Sequence, residues 1–372
     1  MEPEASAVIN NSLNCKGCGA ILNFAPGTHS LKCNYCGVSN EIESAPDSRE
    51  IITLDYEAFI AQSENCRQDA GLKTVKCNSC GSSTVLAANV TADKCPFCTS
   101  PLVLDLSAEK QYVRPHYVLP FFVTKDAAIQ YFQKWMKGLW FAPNDLVKKV
   151  SGNMMPSLQG VYIPHWAFDA DTNTRYEGQR GEHYYVTETY TENVNGRSET
   201  RTRQVRHTRW YSASGTVQCD FRDLVVPASK SLPTKTLNKL GPWAFNMLLK
   251  FDERYISGFR AETYQLAPEA GFDQAVIMMQ PEIESAIRND IGGDEQRIDD
   301  TDSDYFNKGI KYLMLPVWVS SYTYSGKVYQ FTINASTGEV IGERPLSWIK
   351  ITLTVLLVII LLIIGFMVFG NK

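Results

Sequence analysis

The clearest pattern along the chain is an apolar stretch near its C-terminal end. Residues Ile351 to Phe369 are hydrophobic except for two threonines and one glycine. As an α-helix this stretch spans about 28 Å, close to the ~30 Å hydrocarbon core of a bilayer. Trp348 and Lys350 stand at its front edge, where an aromatic ring and a long cation suit the membrane interface. We therefore predict a transmembrane helix over residues 349–370 and a tail-anchored protein.

Charges and thiols indicate on which side of the membrane the rest of the chain lies. Arg344 and Lys350 in front of the apolar stretch outweigh Lys372 behind it. The sequence begins Met-Glu-Pro-Glu, without the basic and apolar regions of an export signal. We expect a single-pass protein of the cytoplasmic (inner) membrane, with its N-terminal domains in the cytoplasm. A buried core helix is the alternative, but such helices normally keep a polar face.

Between residues 112 and 345 the hydrophobic periodicity alternates between strand-like and helix-like, which predicts an α+β domain. The expected elements are a strand at 119–123, a helix at 125–137, a strand at 160–168 and a hairpin, then a strand at 259–266, a helix at 268–290, a strand at 312–321 and a hairpin of 327–333 with 339–341. This order suggests a duplicated strand–helix–strand–hairpin unit, with repeats at 112–227 and 255–345. Chance similarity of short apolar strings is the alternative.

A proline-centred apolar core recurs three times in this domain, at 118–122, 162–166 and 314–318. Proline lacks the backbone donor of a ladder hydrogen bond. We therefore expect each copy at a sheet edge, a strand start or a bulge.

The first predicted hairpin has an unusual composition. Strand 183–192 turns at Asn195-Gly196 and returns as strand 198–211. The return strand carries four arginines opposite glutamates of the first strand, at Arg201, Arg203, Arg206 and Arg209. Cross-strand ion pairs on a solvated sheet explain this pattern. A surface for anionic lipid headgroups or an acidic partner, centred on 197–209, is the other reading.

Eight of the ten cysteines follow one spacing, C-x2-C-x14-C-x2-C, used twice. Each C-x2-C turn can place two thiolates on one metal ion, and two turns complete a tetrahedral shell. The expected ligands are Cys15, Cys18, Cys33 and Cys36 for the first ion and Cys77, Cys80, Cys95 and Cys98 for the second. In a reducing compartment such pairs bind metal rather than form disulfides.

These spacings predict two small zinc ribbons, at 10–42 and 72–105, separated by a linker at 43–71. A segment of about 35 residues buries too little apolar surface to fold alone, so two structural Zn²⁺ ions would stabilise the ribbons. Four cysteine ligands close the coordination shell, which excludes a catalytic role for the metal. His29 is read as a surface residue rather than a fifth ligand, and Cys66 as a spare thiol.

Charge and motifs disfavour other functions. Residues 1–110 contain eight lysines and arginines against thirteen acids, the wrong sign for a surface that binds phosphates. No nucleotide-binding loop, nucleophile elbow or metalloprotease motif is present in the sequence. Asp300, Asp302 and Asp304 alternate like the start of a calcium loop but lack its glycine and closing glutamate, so a solvated acidic loop is expected. We therefore do not expect the protein to be an enzyme.

With both ribbons, the segments 162–170, 251–260 and 290–297, and the C-terminal span, the sequence resembles a bacterial family of double-zinc-ribbon, C-terminally membrane-anchored proteins. The resemblance covers nearly the full length. Such proteins are often labelled as similar to primosomal protein N′, a replication-restart helicase, or as carrying a transcription-factor-IIB-type zinc ribbon. The helicase part of that label is rejected here because the nucleotide-binding motifs are absent. The resemblance implies metal binding by the eight cysteines and partners among phage-shock-family or band-7-type membrane proteins.

The expected function is a membrane-anchored adaptor or scaffold that recruits cytosolic partner proteins to the membrane in a membrane-stress or membrane-remodelling response. The alternative is a membrane-tethered nucleic-acid-binding zinc-ribbon protein, related to replication or transcription, without helicase activity. Both a homo-oligomer and a hetero-oligomer are compatible with the sequence.

Overall fold

The structure is a computed structural model that describes residues 15–18, 22–33, 35–42, 51–63, 73–76, 82–86, 92–94, 101–103, 113, 115–151, 157–194, 197–262 and 264–369. Its helices are α1 Tyr56–Ser63, α2 Lys125–Lys137, α3 Leu146–Ser151, α4 Thr234–Lys239, α5 Glu253–Ile256, α6 Pro268–Ile291 and α7 Trp348–Phe369. Its strands are β1 Asn23–Phe24, β2 Ser30–Lys32, β3 Ser39–Glu41, β4 Leu54–Asp55, β5 Lys73–Lys76, β6 Ser83–Leu86, β7 Ala92–Lys94, β8 Pro101–Val103, β9 Tyr117–Val118, β10 Gln159–Val194, β11 Arg197–Pro227, β12 Leu249–Lys250, β13 Arg260–Glu262, β14 Glu295–Tyr324, β15 Lys327–Asn334 and β16 Val340–Gly342.

Within the described residues the body of the protein is an eleven-stranded sheet. Its centre is the antiparallel pair β10–β14, which runs from Gln159 opposite Val319 to Gly181 opposite Glu295. β11 pairs with β10 on one side, and β15 and β16 follow β14 on the other. The short strands β9 and β13 pair in parallel with β14 and β10. The predicted fold of two ribbons and an α+β domain is therefore corrected: one large, mainly antiparallel sheet dominates.

The central strands are much longer than the sequence predicted. β10 has 36 residues and β14 has 30, whereas their apolar residues cluster at the end where Gln159 lies opposite Val319. The acidic run 300–304, predicted as a loop, lies within β14 and pairs with β10. The prediction was wrong because ladder hydrogen bonds and cross-strand charges such as the 2.9 Å Arg175–Asp302 pair stabilise a polar strand that composition alone would place in a loop.

The two long helices of the domain are confirmed. The Thr124 hydroxyl accepts from the Ala127 amide, which caps α2 at its predicted start. α6 ends at Gly292 and Gly293, whose positive φ angles of 64° and 76° favour glycine. Its buried residues recur on one stripe that faces the sheet. A Cβ atom at Gly271 would lie 2.8 Å from Trp166, so this helix can approach the sheet closely only because that residue is glycine.

Two of the three proline-centred cores lie inside central strands, contrary to the prediction. Pro164 is in β10 and Pro316 is in β14, within the ladder that joins these strands. Each proline lies where one edge of its strand passes from one neighbouring strand to another. On that edge β10 pairs with β13 as far as Tyr162 and with β11 from His165 onwards. A missing N–H is tolerated there because no ladder partner is available on that side.

The two halves of the sheet make corresponding contacts. The Trp166 indole donates to the Leu266 carbonyl at 3.0 Å, and the Trp318 indole donates to the Val123 carbonyl at 2.9 Å. The carbonyl of Pro164 accepts from Ala228 at 2.9 Å, and that of Pro316 accepts from Ala335 at 3.0 Å. In each half the alanine carbonyl then accepts from the loop that precedes the long helix, through Gln265 and Leu266 or through Phe122 and Val123. The two sets of contacts are equivalent, and in each the loop comes from the other predicted repeat.

Part of the segment expected as a linker packs against this sheet. β4 pairs with β14, and α1 follows it directly. Tyr56 and Phe59 of α1 are buried, and the Phe59 ring lies 5.9 Å from that of Trp166. Residues 51–63 are therefore part of the body.

α7 is the one helix of the described chain that is long and apolar enough to cross a membrane, and none of its span Trp348–Met367 is buried. Its first turn is attached to the body. The Lys350 ammonium donates to the carbonyls of Trp140 and Ala142 at 3.0 and 2.8 Å. This contact fixes the start of α7 beside the connection between α2 and α3.

Glu262 of β13 is a buried acid that sequence analysis did not single out. Its Oε2 accepts a 2.5 Å hydrogen bond from the Ser229 hydroxyl, and burial raises the pKa of its carboxyl to about 8. The folded protein therefore holds a proton here that the unfolded chain releases near pH 4–5. Stability contributed by this proton is present below that pH and is lost as the pH rises towards 8, by about 1.4 kcal/mol per pH unit.

We expect Glu262→Gln to raise the thermal unfolding temperature at pH 8 and to leave it nearly unchanged at pH 5, because glutamine stays neutral at both. Thermal unfolding of the full chain in detergent at the two pH values measures this. Glu282→Gln, on the exposed face of α6, is the matched control and should behave like wild type. Equal shifts at pH 5 and pH 8 would contradict a protonated Glu262.

Candidate metal centre

Four cysteines of the first predicted ribbon come together in the structure. The Sγ atoms of Cys15, Cys18, Cys33 and Cys36 all lie within 4.8 Å of one another. Two of the sulfur–sulfur distances, Cys15–Cys36 and Cys18–Cys33, are 3.5 Å. None of these four cysteines forms a disulfide. The arrangement is a four-thiol cluster of the kind that could hold a metal ion.

Local backbone geometry creates the cluster. Residues 15–18 form a turn in which the Gly17 amide points at the Cys15 sulfur, 3.4 Å away. The second turn follows β2, where Gly37 adopts a φ angle of 75° and its amide donates to the Cys33 carbonyl. Glycine is suited to this left-handed conformation. The three-stranded ribbon sheet β1–β2–β3 holds the two turns against each other.

The cysteine thiols of the cluster differ in pKa. Hydrogen bonding from the Cys36 backbone lowers the pKa of Cys33 to about 6, and hydrogen bonding from the Gly17 backbone lowers the pKa of Cys15. The Val38 backbone also favours the Cys36 thiolate, but its cysteine neighbours raise the pKa of Cys36 to about 12. Four thiolates at this spacing repel one another unless a cation lies between them. A divalent metal supplies that charge.

The donor set fits a tetrahedral metal. A Zn–S distance of ~2.3 Å implies sulfur–sulfur edges of about 3.8 Å, near the separations found here. Four sulfurs leave no open position for a substrate or water, so the residues suit a structural rather than a catalytic ion. His29 is not part of the cluster; its ring lies 6.5 Å from that of Phe122.

The ribbon is docked firmly on the body rather than projecting from it. The Phe24 amide donates to the Ser257 carbonyl at 2.9 Å, and the Ser257 hydroxyl donates to the Leu22 carbonyl. The Phe24 ring lies 5.4 Å from that of Tyr255 in edge-to-face contact. Leu22 and Phe24 are buried, as are Cys15 and Cys33. A metal ion held by these thiols would therefore be coupled to packing of the main core.

The second predicted ligand set, Cys77, Cys80, Cys95 and Cys98, lies outside the described residues, as does Cys66. The neighbouring strands are described. β5 pairs with β6, which joins the main sheet through β13, and β7 pairs with β8. Each C-x2-C pair therefore falls in the sequence between two antiparallel strands.

Two polar side chains of the second proline-centred segment belong to the core. His165 and Trp166 are fully buried, and burial lowers the pKa of His165 to about 4. A partly buried ion cluster was not predicted from the sequence. The Lys311 ammonium lies 2.9 Å from Asp169 and 2.7 Å from Asp223. Its members come from three strands, so no local pattern could have revealed it.

Comparison with known proteins adds one relative and no assigned function. The chain is 28% identical over 339 residues to "Uncharacterized protein YdjG" of Bacillus subtilis (strain 168), an alignment that covers 90% of each chain. No family model matches the sequence. No solved structure matches it.

We expect Cys33→Ser to lower bound metal by one equivalent per chain and to lower the unfolding temperature by several degrees, because the metal and the core around Phe24 are lost together. Elemental analysis of the purified full chain and a thermal scan measure both effects. Cys219→Ser is the control, since Cys219 lies in β11 away from the cluster. Unchanged metal content in Cys33→Ser would rule out this cluster as a metal site.

Proposed function

We propose that the protein is a membrane-anchored zinc-ribbon adaptor or scaffold that recruits cytosolic partner proteins to the cytoplasmic (inner) membrane. One observation carries the proposal: a four-thiol cluster and an exposed apolar helix of membrane length are both hydrogen-bonded to the domain that is built on the main sheet. A closed metal shell organises a surface but offers no reactive position. An anchor then confines that surface to the bilayer.

Two structural Zn²⁺ ions belong to this proposal. The geometry of Cys15, Cys18, Cys33 and Cys36 supports the first ion. The identical spacing of the other four cysteines supports the second. Thiolate ligands of this kind persist in a reducing compartment, which favours a cytoplasmic location for the cysteine-rich part, as does the positive charge in front of α7.

The duplicated unit is also part of the proposal. The matching indole and alanine contacts in the two halves support repeats at 112–227 and 255–345. The domain then serves as a rigid support rather than as an enzyme. Partners of the phage-shock or band-7 type follow from the sequence resemblance, and membrane stress or remodelling is the process in which such an adaptor would act.

The anchor is tested by placing charges in α7. We expect Ile359→Lys with Leu362→Lys to move the protein from the membrane fraction to the soluble or aggregated fraction, because each lysine costs about 2.5–3.5 kcal/mol at the centre of a helix in a bilayer. Membrane flotation and alkaline extraction measure the distribution. Ile359→Leu with Leu362→Ile is the matched control. Flotation of the lysine variant equal to wild type would contradict a transmembrane α7.

Recruitment is tested by affinity capture of the intact protein from detergent-solubilised membranes, beside a Cys77→Ser/Cys80→Ser variant. We expect about two zinc ions per intact chain and about one in the variant. A membrane-remodelling partner should accompany the intact chain and be lost from the variant. Replication or transcription proteins recovered with DNA in its place would contradict the adaptor and favour a nucleic-acid-binding protein.

A further inference from the structure

The outer ends of β10 and β11 form a two-stranded arm, residues 182–194 and 197–209, that has no neighbouring strand. β14 leaves β10 at Gly181, and within the described residues nothing pairs with either edge of the arm beyond that point. At ~3.3 Å per residue the arm is about 40 Å long. Isolated two-stranded ribbons are marginally stable in water, and their open edges are free to pair with other strands.

The two edges of the arm carry opposite charge. From 197 to 209 the β11 edge has five arginines and one glutamate. From 182 to 194 the β10 edge has three glutamates and neither lysine nor arginine. Two β11 edges or two β10 edges therefore repel each other, whereas a β11 edge attracts a β10 edge.

Within the arm two arginines of β11 pair with glutamates of β10, and Arg201 also lies 3.5 Å from Glu199, which stands opposite Glu192. Glu188 stands opposite Arg203, with their charged groups 3.1 Å apart. Arg201 lies 2.9 Å from Glu192 on the same face. In a sheet, a strand has neighbours on both sides at the same spacing of ~4.8 Å. Each arginine of β11 can therefore face its own β10 and the β10 of another molecule.

The base of the sheet fixes where the arm points. Lys350 at the start of α7 binds the α2–α3 connection, and Tyr324 at the end of β14 donates to Asp145 in that same connection at 2.7 Å. The arm lies at the opposite end of the long ladder. At the strand rise the separation is on the order of 100 Å. This direction disfavours the lipid-headgroup reading of the arginines and leaves a protein partner.

We infer that the arms of neighbouring copies of this chain join edge to edge, with β11 of one copy pairing antiparallel to β10 of the next. The intermolecular ladder repeats the one within the arm. Copies anchored in one membrane stand at the same height and in the same orientation, a condition that rests on the proposed anchor. A two-fold pair would place β11 against β11, arginine against arginine, so the contact is head to tail and builds a ring or an open row.

The test uses single cysteines on opposite edges. Thr189 and Thr202 are exposed and stand opposite each other in the ladder. Full-length Thr189→Cys and Thr202→Cys chains carry different affinity tags and are combined in vesicles of phosphatidylethanolamine and phosphatidylglycerol. A short bismaleimide is then added. We expect the mixture to yield at least about fivefold more cross-linked dimer than either variant alone, because only a β11 edge meets a β10 edge. The chain without engineered cysteines gives the background.

A charge-swapped arm tests the cause. It carries Glu188→Arg, Glu192→Arg, Arg201→Glu and Arg203→Glu, which keep complementary pairs within its own arm. We expect charge-swapped copies to cross-link with one another as efficiently as wild-type copies do. A mixture of charge-swapped and wild-type copies should give at least about fivefold less cross-linked dimer between the two kinds. Retained cross-linking among swapped copies also shows that their arm is folded.

Three results would overturn the inference: no dimer in any mixture, equal dimer from matched and mixed edges, or cross-linking between wild-type and swapped copies equal to that within each kind. Flotation of the same vesicles reports on the anchor independently. Chains that float but do not cross-link contradict arm pairing alone. Chains that cross-link in detergent but fail to float contradict the anchor and leave the arm contact standing.

Discussion

The antiparallel ladder between β10 and β14 is the interaction on which the rest of the structure depends. Its lower part, residues 159–169 of β10 opposite 309–319 of β14, is mainly apolar on both faces. α6, α1 and the N-terminal ribbon pack in the core on one face, and Trp243, Phe245 and Leu248 pack against Leu313 and Leu315 on the other. Every other strand of the main sheet is placed relative to these two. Since ladder pairing satisfies the backbone groups that face the partner strand, the pair can continue far beyond the apolar core.

The extension of this ladder beyond the apolar core explains how very polar segments of the sequence form strands. α6 covers one face of the upper ladder, where the Tyr176 hydroxyl donates to Asp290 at 2.6 Å. The opposite face carries charged and small polar side chains, among them Arg175 paired with Asp302. Among the residues that the structure describes, the charged two-stranded arm extends alone beyond the end of α6 and β14. The fold thus passes from a core stabilised by burial to a ribbon stabilised by backbone hydrogen bonds and cross-strand charges.

The metal centre depends on this frame as well. Cys15 and Cys33 are buried in the same core as Phe24 and Tyr255, so loss of a metal ion would loosen a contact with the body as well as a surface turn. The matching contacts around Trp166 and Trp318 brace the sheet on both sides of its centre. These contacts, the four-thiol cluster and the apolar terminal helix are the features on which the proposed adaptor role rests.

The four-cysteine spacing, the helices predicted at 125–137 and 268–290, the first hairpin and the apolar C-terminal helix could be predicted because residues close together in the chain specify them. The length of β10 and β14, the tolerance of Pro164 and Pro316 inside them, and the docking of the ribbon on Ser257 depend on contacts between distant segments. Glu262 and Lys311 also acquire partners that are distant in the sequence, Ser229 and Asp169. Those outcomes depend on which strands become neighbours, and local propensity does not contain that information.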